Sequence, residues 1–145
     1  MIVIEETIGN PAVLAGAEHD VLVMGWEARR QTRQRATTLH GRELALALPT
    51  GTVLGDGEVV HIGQGFYVSI EAEREDVLVV PLNDAATAAA VAYELGNRHL
   101  PVSLREGFLA TPYDRLVEAV LAKSGVTYGR GKEKFEPLRT LHHHG

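Results

Sequence analysis

The side chains best suited to chemistry in this sequence are imidazoles. His99 lies in the stretch Gly96-Asn97-Arg98-His99-Leu100-Pro101, and the chain closes on His142-His143-His144-Gly145. There is no cysteine, which removes thiolate metal sites, disulfides and cysteine nucleophiles. Neutral imidazole ligates nickel, copper(II) and zinc, whereas copper(I) calls for soft sulfur. Short His-rich tracts read as metal sites, and a run of three closed by glycine is shorter than the usual purification tag. One His alone makes a poor site. A two-fold dimer brings the same residue in twice, because an isologous interface repeats each patch. If His99 lies near such an axis, two copies of it can share one ion. A ligand on a tail dissociates easily, which suits delivery better than storage. A ligating imidazole must first lose its proton, so binding weakens as pH falls through about 6.5, the ordinary value of the free side chain.

Other chemistry fails on inventory. The sequence contains no His-Glu-x-x-His and no Gly-x-Ser-x-Gly, the signatures of zinc proteases and serine hydrolases. Ser69, Ser103 and Ser124 are the serines, and none sits with a His in a recognisable motif. Carboxylates fall in charged turns, so no acid–base pair stands out. Catalytic residues are therefore not expected, and the chain does not read as an enzyme. His19, His40 and His61 lack partners at ligand spacing and read as structural or exposed. Net charge is 14 − 19 = −5, against the basic footprint of a nucleic-acid binder. Glu5 and Glu6 interrupt the N-terminus before any signal-peptide core. No run approaches the roughly 18 apolar residues of a membrane span, so the expected place is the cytoplasm.

The elements that must hold these residues follow from pattern. Over 145 residues, with 45% hydrophobic and 23% charged content, one ordinary domain or two small ones are expected. Residues 1–72 read as all-β, with short strands spaced by Asn10-Pro11, His40-Gly41, Gly55-Asp56-Gly57 and Gly63-Gln64-Gly65 turns. Leu44, Leu46 and Leu48 alternate with Ala45 and Ala47 as a half-buried strand. Arg29, Gln31, Arg33 and Arg35 share a period of two, the wet face of a strand. The charged run Glu71 to Asp76 is expected as the domain boundary, since linkers look like this.

Residues 77–137 change character. Val77 to Leu82 is a strand, and Asn83-Asp84 caps an Ala-rich helix from Ala85 to Leu95. Gly96 is placed to end it in the left-handed conformation. Val102 to Arg105 and Phe108 to Thr111 are strands. Pro112-Tyr113-Asp114 opens a second helix with an apolar stripe of Leu116, Val117, Val120 and Leu121, stopped by Gly125. Val126 to Tyr128 is the last strand, and Gly129 to Lys134 reads as a mobile turn. The order βαββαβ is the ferredoxin-like split unit. The fold class is α+β: an all-β domain, a ferredoxin-like domain, and a short flexible His-bearing tail over 138–145.

Gly96-Asn97-Arg98-His99 after the Ala-rich helix, Phe135-Glu136-Pro137 and the His-bearing tail together resemble the urease accessory protein UreE family, which are nickel metallochaperones. The likeness runs along nearly the whole chain. It takes in Met1-Ile2-Val3-Ile4-Glu5, Trp26-Glu27-Ala28-Arg29, and Leu48-Pro49-Thr50-Gly51-Thr52-Val53-Leu54 followed by Asp56-Gly57. It implies a peptide-binding-like N-terminal domain and a ferredoxin-like metal-binding domain. It also implies a homodimer in which His99 from each chain shares one Ni(II), with His142, His143 or His144 completing the coordination. Nickel is then cargo, and Cu(II) or Zn(II) competes in vitro because ligand inventory alone favours copper. The implied partners are the accessory GTPase UreG and the urease apoprotein complex. Two departures stand out. The tail is shorter than in many relatives, against a large buffering capacity, and Tyr113-Asp114-Arg115 stands where some relatives carry a second His pair. The alternative is a protein-interaction module that binds extended peptides by strand addition, with an incidental His tail.

Overall fold

A computed structural model describes residues 1–11 and 15–138. Alternating burial builds the first half. Strands β1 (Ile2–Ile4), β2 (Glu18–Met24), β3 (Arg33–Thr37), β4 (Glu43–Ala47), β5 (Val59–Ile62) and β6 (Phe66–Ala72) form two three-stranded sheets, ordered β1-β4-β3 and β2-β6-β5. β1 pairs with β4 and β2 with β6 in parallel, and the remaining pairs are antiparallel. Leu44 and Leu46 of one sheet and Leu22, Met24, Val68 and Ile70 of the other bury into one shared core. Both sheets turn one face inward, which makes the unit a small sandwich.

Arg29 departs from the expected strand face. Trp26–Arg29 is a four-residue helix, α1. Arg29 is 1% exposed, and its guanidinium donates to the carbonyls of Met24 (3.3 Å) and Leu54 (3.5 Å). Buried charge persists only where such acceptors meet it. The wet face begins at Gln31 and continues through Arg33 and Arg35, all exposed.

The second half is β7 (Arg74–Pro81), α2 (Ala85–Asn97), β8 (Ser103–Arg105), β9 (Phe108–Pro112), α3 (Arg115–Lys123) and β10 (Gly129–Lys134). Its sheet runs β10-β7-β9-β8, antiparallel throughout. That is the βαββαβ order with the last strand beside the first. Leu78, Val80 and Leu109 of the sheet share a core with Val91 and Leu95 of α2 and with Val117 and Leu121 of α3. Both helices therefore cover one face. Leu116 lies off that stripe and is 70% exposed. Asp84 caps α2 by accepting from the Ala86 N–H (3.1 Å), and Asp114 caps α3 by accepting from Leu116 and Val117 (2.8 and 3.1 Å).

Two charged stretches differ from expectation. The chain parts into units at Glu73/Arg74, yet Glu71 and Ala72 end β6, and Arg74 to Asp76 begin β7. The charges ride on strand positions instead of forming a loose linker. Gly129 to Lys134 is a strand and not a mobile turn: β10 pairs with β7 over six residues, from Gly129↔Val79 to Lys134↔Arg74. Val126 to Tyr128 only lead into it. β10 is an edge strand, where Lys, Arg and Gly guard against further pairing, and that composition hides it from pattern reading.

The sheet face away from the helices curls on itself. Ser103 and Arg105 of β8 reach Glu133 and Lys134 of β10: Ser103 Oγ donates to Glu133 (3.5 Å), and Arg105 Nη2 donates to the Lys134 carbonyl (2.8 Å). Val77, Ala110 and Ser103 on that face are buried, as is Phe135 just after β10.

Candidate metal centre

His99 owes its position to how α2 ends. The helix continues through Gly96 and Asn97, and Arg98 is its C-cap with φ −93°. Gly96 is thus helical and is not the stop. The left-handed residue is His99 itself, with φ +59°, the one non-glycine at positive φ among the described residues. Its N–H donates to the Gly96 carbonyl (2.9 Å), and the Leu100 N–H donates to the Leu95 carbonyl (2.9 Å). This 5→2, 6→1 pair is the Schellman motif, completed by the apolar contact it favours, since Leu95 and Leu100 share the core.

The end of α3 provides an internal comparison. There Gly125 has φ +73°, its N–H donates to the Ala122 carbonyl (3.2 Å), and the Val126 N–H donates to Leu121 (3.2 Å). One fold thus ends its two long helices in the same way, once on Gly and once on His. The left-handed conformation costs an L-residue about 1–2 kcal/mol, less for His, which visits it more than most. Such strain marks a position where a side chain is wanted. The imidazole is exposed. Arg98 beside it closes the helix, donating to the Glu94 carboxylate one turn back (3.0 Å).

No group of three His, Asp or Glu able to hold a metal occurs among the described residues. Further ligands for an ion at His99 would have to come from outside them or from a second chain. His142, His143 and His144 lie outside the described residues. The described chain ends at Leu138, whose N–H donates to the Val102 carbonyl (2.6 Å), three residues past His99.

The other histidines are less isolated than their spacing indicates. His19 stacks on Tyr67 with ring centres 4.4 Å apart, and its Nε2 meets the Ser69 hydroxyl at 2.6 Å. His61 packs against Phe66. His40 bonds Glu18 within a charged clamp that sequence reasoning missed. Arg42 Nη1 donates to Glu18 (2.9 Å) and Asp20 (2.8 Å), and Thr38 Oγ1 donates to Asp20 (2.5 Å). Hydrogen bonds from Arg42, then His40, hold the Glu18 carboxyl down at about 2. Burial alone would raise Asp20, but bonds from Thr38, Arg42 and the His40 and Val21 N–H groups outweigh it and bring it to about 2. These groups satisfy one another and tie the β3–β4 turn to β2. In the sequence, the i, i+2 spacing of Glu18 and Asp20, which puts both on one strand face, is the signal that could have pointed to the clamp.

Family models place the chain. The UreE urease accessory protein N-terminal domain matches residues 4–73, and the UreE urease accessory protein C-terminal domain matches residues 75–145. Proteins named urease accessory protein UreE from Burkholderia thailandensis, Burkholderia pseudomallei and Burkholderia mallei are each 40% identical over 121 residues, 83% of this chain. The chain spans 57–60% of the length of these relatives.

Proposed function

The chain belongs to the UreE family of urease accessory proteins, and from that premise we propose that it is a nickel metallochaperone, acting in the cytoplasm, that donates Ni(II) during urease metallocentre assembly. Two chains form a homodimer. His99 from each holds one ion, and His142, His143 or His144 complete the coordination. Release to the next protein is ligand exchange and requires no catalytic residue. The urease apoprotein complex, with the accessory GTPase UreG, receives the metal. Cu(II) and Zn(II) compete for the same imidazoles in vitro.

The observation that carries this reading is the left-handed His99. An imidazole stands exposed where Gly125 serves the sister helix, at a position that favours glycine. The outer face of α2 supports the dimer. Ala86, Ala89, Tyr93 and Gly96 follow helical spacing, carry no charge and are exposed, Tyr93 at 74%. Small residues there allow two copies to approach closely, and the stripe leads towards His99. The described residues contain no helix long and apolar enough to cross a membrane.

The test is transfer. Nickel-loaded chain is mixed with urease apoprotein and its accessory partners in the presence of a nickel chelator, and urease activity is followed. The parent chain activates urease under chelator, and His99→Ala falls to the level of chelated nickel alone. Equal activation by His99→Ala contradicts the reading and moves the peptide-binding alternative forward.

A further inference from the structure

We infer that Phe135–Leu138 is a tether that anchors the root of the histidine tail beside the His99 loop, a positioning role that rests on the nickel reading above. β10 does not simply run out into solvent. Phe135, the residue after β10, is 0% exposed. Arg105 holds the preceding carbonyl, that of Lys134, at 2.8 Å. The Leu138 N–H then bonds the Val102 carbonyl at 2.6 Å. Leu138 itself is 54% exposed, so a backbone bond fixes this point and not burial of the side chain.

The geometry of the two ends gives the anchor its consequence. Val102 is three residues from His99, and Leu138 is four residues from His142. Four residues span at most about 14 Å. With the Leu138 bond removed, burial still holds Phe135, seven residues from His142. Effective concentration falls roughly as the −3/2 power of tether length, so lengthening the tether from four residues to seven lowers it about twofold. The tether thus sets how often a tail imidazole meets the His99 ion while leaving every ligand in place.

The experiment uses the full chain and its lack of cysteine, which makes one introduced thiol unique. A nitroxide on Leu141→Cys is placed in metal-free protein, and broadening of the Leu100 and Val102 amide signals is read. Broadening is expected in the labelled parent and in Leu138→Ala, which keeps the N–H. It weakens in Leu138→Pro, which removes the donor at an exposed site. Unchanged broadening in Leu138→Pro, or none in the parent, overturns the tether. Nickel titration supplies the second arm. Leu138→Pro weakens binding about twofold in the full chain and has no effect in a chain ending at Thr140. An equal loss in both chains overturns the positioning role. Failure of the nickel reading appears differently: His99→Ala binds nickel like the parent while the broadening persists. That outcome removes the positioning role but leaves the tether standing.

Discussion

His99 combines two properties that usually oppose each other. It closes a helix, a task for glycine, and it presents an imidazole to solvent. This separates stability from binding. His99→Gly should fold at least as stably as the parent, and about 1 kcal/mol more stably than His99→Ala, because only glycine enters the left-handed region without a Cβ penalty. Both variants should lose the tight nickel site. Urea denaturation beside nickel titration checks this; a less stable His99→Gly would show that the imidazole stabilises the fold itself. His99 was legible as a candidate from its type and its place between two helix-stopping signals. Its backbone conformation was not, because Gly96 offered the stronger signal and the Schellman register depends on where Leu100 finds Leu95.

At the scale of elements, caps and alternation were the readable features. Asp84, Asp114 and Gly125 mark helix ends as local chemistry requires, and Leu44 and Leu46 mark a strand. β10 was not readable, since an edge strand guarded by charge carries no apolar alternation. Nor was the clamp, whose members Glu18, Asp20, Thr38, His40 and Arg42 converge only when β2 lies against the β3–β4 turn. The clamp makes an acid prediction. Glu18 and Asp20 titrate at about 2 when folded, below their ordinary 4.5 and 3.8. Their contribution to stability is therefore complete above about pH 5 and is lost as pH falls towards 2. Trp26, the single tryptophan, lies in this unit, and its fluorescence reports on it. Arg42→Met should raise both carboxyl values and move the acid transition seen by Trp26 to higher pH. An unmoved transition would show that the clamp does not govern acid stability.

For the whole molecule, one chain's described residues supply no complete metal site, so the proposed function depends on assembly. The α2 face of Ala86, Ala89, Tyr93 and Gly96 is where two copies are expected to meet. Ala89→Arg puts a long cation into that face without touching the buried core. Light scattering should then report a monomer, and nickel binding should weaken with it. A dimeric Ala89→Arg would move the interface elsewhere. No reading of one chain's pattern could have supplied this face, because exposed alanines carry no amphipathic signal until a second copy is considered.

The most direct measurement is nickel titration by calorimetry on the parent and on His99→Ala. The account predicts a tight site in the parent at about one ion per two chains, and its loss in His99→Ala. A His99→Ala protein that binds nickel with the parent's affinity and stoichiometry would contradict the account at its centre.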